Sequence, residues 1–171
     1  MKIWMPAVFA VCCAGTSFAQ SGSVSGDLTA FFNQVKNNVV RAAEKMPEEH
    51  YGFRPAPEVK TFGGMLGHIA DANFSICANA SGTPRPAVQV EKTKTAKADI
   101  VAALKEAFAF CDAAYGRLSD PAWSAETIKL YGGQRTRAGA LILNYGHTFE
   151  HYGNLVTYMR MKGLVPPSSE R

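Results

Sequence analysis

Four histidines occur in the chain, at positions 50, 68, 147 and 151. His147 and His151 stand four residues apart. On a helix that spacing puts both imidazoles on one face, about 6 Å from each other, which suits two ligands on one metal ion. His68 stands in an earlier segment, at the edge of an apolar stripe and three residues after Met65. If both segments are helices that face one core, the three rings meet. Three neutral imidazoles with one position left open form a typical catalytic metal site. The donor set favours zinc, with nickel or iron as alternatives. His50 follows Glu48 and Glu49 in a connecting segment and reads as solvent-facing.

Polar residues at helical spacing surround the pair. Asn144 lies one turn before His147, and Asn154 and Tyr158 lie one and two turns after His151. That spacing makes them candidates for positioning a substrate. Glu150 is a candidate second partner for an imidazole N–H. Residues 147–151 also fit the H-x-x-E-H pattern of the inverted zinc peptidases. Such enzymes need a further carboxylate ligand well downstream, and only Glu170 follows His151 as a carboxylate side chain. The peptidase reading is therefore set aside. There is no G-x-S-x-G, phosphate loop or dinucleotide fingerprint, and Ser75 has no recognisable nucleophile geometry beside His68.

The elements that must carry these residues read as helices. The first runs from about residue 27 to 46, with Leu28, Phe31, Phe32, Val35, Val39, Ala42, Ala43 and Met46 on one face. Pro47 stops it. The second starts after Thr61, a good N-cap, and carries His68 and Cys77. Its early Gly63, Gly64 and Gly67 leave room for another backbone or a ligand to come close. A polar crossover covers residues 84–95. The third helix carries Ile100, Leu104, Phe108, Cys111 and Leu118, and the Asp120-Pro121 step ends it. Residues up to 135 read as irregular, with a short hairpin turning at Gly132-Gly133. The fourth helix spans about 136–162 and carries the His pair. Four amphipathic helices with almost no strand signal predict an all-α four-helix bundle.

Composition agrees: 171 residues, 47% apolar, 19% charged and net charge +4 describe one globular domain. The charge is only mildly basic, which argues against a nucleic-acid binder. Residues 1–19 have the three parts of a secretory signal: Lys2, an apolar stretch over 3–13, and small residues at Ser17 and Ala19. Cleavage is expected before Gln20, with residues 20–26 as a flexible leader, 27–165 as the bundle and 166–171 as a tail. The remaining chain has no membrane span. At about 150 residues it buries roughly 68–70% of its unfolded surface. Export to a periplasmic or extracellular space leaves Cys77 and Cys111 as an even pair in oxidising surroundings.

Those two cysteines bear on topology. Both follow their expected helix starts, Thr61 and Thr95, by the same distance. In antiparallel helices they would lie about 20 Å apart; in parallel helices they share one depth. The sequence leaves both the disulfide and the free thiols open.

The segments Thr61-Phe62-Gly63-Gly64-Met65-Leu66-Gly67-His68-Ile69-Ala70 and His147-Thr148-Phe149-Glu150-His151-Tyr152-Gly153-Asn154-Leu155 resemble the DinB/YfiT-like superfamily of metal-binding four-helix bundles. The resemblance spans about residues 28–164. It implies one metal-binding histidine in helix two and two in helix four, here His68, His147 and His151. Many members follow the last histidine with x-Gly-Gln, where this chain has Tyr152-Gly153-Asn154. The resemblance further implies an up-down-down-up bundle with helices two and three parallel, joined by a long crossover. It implies zinc, nickel or iron, frequent homodimers, and thiol-dependent transfer or isomerisation among the members with known activity. Two readings follow: a metal-dependent hydrolase or transferase on an unknown small molecule, or a non-catalytic periplasmic metal- or ligand-binding bundle.

Overall fold

The computed structural model describes residues 22–170. The expected signal segment lies outside them. Six α-helices, two 3-10 turns and one two-stranded sheet occur among the described residues. Helix α1 spans Val24–Lys45, α2 Phe62–Ser81, α3 Val90–Thr93, α4 Lys97–Tyr115, α5 Pro121–Ala125 and α6 Arg137–Met161. The four long helices, α1, α2, α4 and α6, close around one core, in which α2 packs on α4 and α6, and α1 packs on the same two.

Local chemistry sets the starts of the long helices. Ser23, Thr61 and Thr136 each accept a backbone N–H three residues on, at Gly26, Gly64 and Gly139. Each hydroxyl satisfies one of the orphan donors of a first turn. The Ser23 cap moves the start of α1 into the segment read as a flexible leader, so residues 24–26 belong to the helix. Gly82, in left-handed backbone at φ 69°, closes α2.

Phe32, Phe62, Leu66, Ile69, Leu104, Phe108, Leu141 and Leu155 are all fully or almost fully buried. Phe32 stacks on Tyr115 with ring centroids 3.7 Å apart. Phe31, expected on the same core face, is half exposed instead and stacks on Tyr145 across the surface of α1 and α6. The helix turns its core stripe through Phe32 and Val35, which leaves Phe31 on the flank.

The segment read as irregular holds α5 and a hairpin of β1, Thr127–Leu130, and β2, Gly133–Thr136. Thr127 pairs with Thr136 and Leu130 with Gly133. Tyr131 and Gly132 make the turn at φ 51° and 77°, the positive angles that a tight two-residue hairpin needs. The guanidinium groups of Arg117 and Arg137 both lie over the ring of Trp123 of α5, at 5.1 and 5.4 Å from its centroid. The crossover between α2 and α4 contains α3, which the sequence did not mark.

The C-terminal residues are packed rather than loose. Pro167 is buried, and Glu170 pairs with Arg41 and Lys45 of α1. Cys77 of α2 and Cys111 of α4 form a disulfide, with Cα atoms 5.2 Å apart. No helix of the described residues is long and apolar enough to cross a membrane.

Candidate metal centre

Helix α2 contributes His68 in its second turn, and α6 contributes His147 and His151 from one face. Their Nε2 atoms converge. His68 and His147 are 3.2 Å apart at these nitrogens, and His147 and His151 are 3.1 Å apart. One ligand atom from each histidine lies within 4.8 Å of the other two. All three side chains are half-buried.

Protons alone satisfy this arrangement poorly. His147 Nε2 carries either one hydrogen or one lone pair. It therefore cannot make two linear hydrogen bonds to its two neighbours. A cation shared by three lone pairs can satisfy all three nitrogens. Zinc–imidazole bonds of about 2.0–2.1 Å place tetrahedral ligand atoms about 3.3–3.4 Å apart, close to the spacings found here. The three histidines thus could hold a metal ion, and their geometry fits one.

Electrostatics keeps the ligands in their coordinating form. The pKa of His147 is pushed down to about 4, first by burial and then by the neighbouring His151 and His68. Burial also lowers His151, again helped by His68. Both rings are therefore neutral at pH 7, as metal ligation requires. The sign of the linkage follows from this. Between about pH 6.5 and 4 the unfolded chain binds a proton at His147 that the folded chain refuses. Stability of the metal-free protein is then expected to be full above pH 6.5 and to fall as the pH drops towards 4. Thermal melts in chelator between pH 7.5 and 5 check this, because carboxylates contribute little in that range. A His147→Ala variant should show a flatter profile.

Outside the ring of nitrogens, Glu91 Oε2 lies 3.2 Å from His68 Nδ1, and Glu91 Oε1 lies 2.5 Å from Lys60 Nζ. Burial opposes ionisation of Glu91, but Lys60 and His68 outweigh it and hold the carboxyl below its usual range. The Asn154 amide nitrogen Nδ2 lies 3.3 Å from His151 Nδ1; a flip of the amide would bring its oxygen to that side, where it would accept an Nδ1–H. His147 Nδ1 is buried without a partner among the described residues.

The DinB superfamily model matches residues 32–155, which hold all three histidines. The chain belongs to the DinB superfamily. Among solved structures it is similar to a DinB-like protein of Bacillus subtilis at 23% identity, with a TM-score of 0.66 over 85% of this chain and 99% of that one. A DinB-like protein of Bacillus cereus matches at 16% identity and a TM-score of 0.72, over 84% and 95%. A conserved protein of Enterococcus faecalis matches at 12% identity and 0.64, over 82% and 98%. These likenesses establish the DinB-like fold. No curated protein matches the chain significantly.

Within this DinB fold, the other residues expected at the site have different places. Asn144 is fully buried. It donates to Asn73 Oδ1 and accepts from the Tyr115 hydroxyl, at 3.1 and 3.0 Å. It belongs to a polar network inside the core, not to a substrate surface. Asn144→Ala is expected to cost about 1–3 kcal/mol, because buried partners lose their bonds. It should leave metal affinity unchanged; urea unfolding beside a zinc titration checks both. Tyr158 is also buried and donates to the backbone carbonyl of Lys60 at 3.0 Å. It anchors the segment before α2. Glu150 is exposed and, among the described residues, makes no hydrogen bond to a histidine. Glu91 stands where Glu150 was expected. Only Asn154 reaches a histidine, and it does so as a partner of His151.

Proposed function

We propose that this DinB protein is exported and binds one divalent metal ion, zinc in the first place, through His68, His147 and His151. The observation that carries the reading is the convergence of the three imidazoles, with His147 Nε2 at near-tetrahedral spacing from the Nε2 atoms of His68 and His151. A bound cation of this kind supplies Lewis acidity at its remaining open position. The imidazoles hold it, and their depressed affinity for protons keeps them available at neutral pH. On this reading the protein is a metal-dependent hydrolase or transferase acting on a small molecule.

A non-catalytic metal or ligand carrier is the second reading. The commitment of Asn144 and Tyr158 to the fold favours it, since neither is left to handle substrate. Nickel and iron remain within the range of the donor set.

The same proposal includes an up-down-down-up course for α1, α2, α4 and α6, with α2 and α4 parallel. Its support is the Cys77–Cys111 bond, which joins points at similar distances from the starts of the two helices. Export is supported by Lys2, the apolar run and the small residues before Gln20, and by a disulfide that suits an oxidising compartment. A homodimer is part of the reading, with the exposed Phe31 and Phe149 as apolar surface for it.

Elemental analysis of the mature protein from a periplasmic fraction tests the proposal. About one equivalent of metal is expected, and none in a His147→Ala/His151→Ala control. Metal retained in the control, or absent from both samples after incubation with zinc and nickel, rules it out.

A further inference from the structure

We infer that the four-residue crossover helix α3 is a positioning device for the metal centre, and that its Glu91 fixes His68 as a ligand. The inference rests on the metal-binding reading of the three histidines. Glu91 touches no reacting atom; it is a positioning residue that acts through His68.

The chemistry is that of one imidazole proton. A neutral ring carries a single N–H, on Nδ1 or on Nε2. A carboxylate only accepts. Glu91 Oε2 beside His68 Nδ1 therefore draws the proton to Nδ1 and leaves the Nε2 lone pair bare, facing His147. Lys60 occupies the other carboxylate oxygen. It keeps Glu91 ionised and stops it from rotating away.

The placement of Glu91 is built into the fold. A four-residue helix in a crossover has too few bonds to hold its own position. Two residues of α2 on either side of His68 hold it. Asp71 accepts the backbone N–H groups of Val90 and Glu91, at 2.8 and 3.0 Å. Those are orphan donors of a first helical turn. Gly67 lies directly beneath the same backbone: a Cβ there would stand 2.7 Å from Glu91 Cα and 2.9 Å from Glu91 N. Any side chain at 67 must push α3 off α2, and Glu91 moves with it. Val90, fully buried, completes the seat. Gly67 and Asp71 thus bracket His68 in sequence and dock the segment that orients it.

The test compares zinc affinity, by chelator competition, in the wild-type protein and in Glu91→Gln, Glu91→Ala and Gly67→Ala. Loss of a hydrogen-bonded partner of a metal-bound histidine weakens binding by about 10–100-fold, and that is expected for Glu91→Ala and Gly67→Ala. Glu91→Gln keeps an acceptor oxygen and should recover part of the loss. Nitrogen-15 NMR of the metal-free protein adds a readout that a packing role would not move. His68 should carry its proton on Nδ1 in the wild type and shift it towards Nε2 in Glu91→Ala. Unchanged zinc affinity in Glu91→Ala overturns the inference while leaving the metal centre intact. If that variant fails to fold, Gly67→Ala decides, because a Cβ there displaces the Glu91 backbone, and unchanged affinity there overturns it equally. Failure of the wild type itself to bind zinc overturns the metal reading and this inference together.

Discussion

Zinc is expected to raise the melting temperature of the metal-free protein by about 8–16 °C at a free concentration a thousand times its dissociation constant. A ligand that binds only the folded state at that excess adds about 4 kcal/mol. A chain of this size converts each kcal/mol into about 2–4 °C. His147→Ala should lose nearly all of the rise. His147 is the middle member of the cluster: its Nε2 contacts both His68 and His151. Removing it leaves two imidazoles on different helices, adjacent at 4.9 Å between ring centroids but without the third ligand. The metal-free variant should fold, because the ring is only half-buried and its Nδ1 has no partner to lose. Its depressed pKa adds a second expectation: at pH 7 the ring is already neutral, so zinc has little proton to displace there. As far as His147 is concerned, the zinc shift should therefore keep its full size well below pH 6.5 and shrink only as the pH approaches about 4. Differential scanning fluorimetry with zinc, in both proteins and across pH, checks this. An equal rise in wild type and variant would place the bound metal elsewhere.

What the sequence revealed and what it hid divide along a physical line. Periodicity and caps are local, and they marked the long helices: Thr61 is the cap of α2 in fact, and α6 spans Arg137–Met161 against an expected 136–162. The three histidines were legible because helical spacing fixes one pair, and a shared core brings in the third. The hairpin was visible from Gly132-Gly133, but its turn falls one residue earlier, at Tyr131-Gly132, and Gly133 opens β2. Glu91 was not visible. It lies in a polar crossover too short to show a period, and it reaches His68 only because Gly67 and Asp71 dock that crossover. The glycine signal at 67 announced a close approach without saying of what. Asn144 misled for the opposite reason. It shares a helix face with His147 by count, but that face continues into the core, where Tyr115 and Asn73 claim its amide. Helical spacing gives direction, not depth, and depth separates a ligand-facing polar residue from a buried one.

The Cys77–Cys111 bond should account for the other large effect. It closes a loop across a sequence separation of 34 residues. On the chain-entropy model such a loop is worth about 4 kcal/mol of stability, through restriction of the unfolded chain. The double variant Cys77→Ala/Cys111→Ala is thus expected to melt about 8–16 °C below the wild type. Both sulfurs are fully buried in the core between α2 and α4, so a reductant should act slowly on the folded protein and quickly once it opens. Denaturant unfolding with and without reductant separates the contributions. Reductant should bring the wild type down to the level of the variant and leave the variant unmoved. Equal stability of wild type and variant under oxidising conditions would refute the stabilising role. The closed loop also contains α3, so the bond tethers the crossover that carries Glu91 as well as the two helices it joins. The docking of α3 does not depend on that tether, since Asp71 and Gly67 act directly on its backbone. Removing the bond should therefore lower stability much more than zinc affinity at temperatures where the variant is folded. Removing Glu91 should do the reverse.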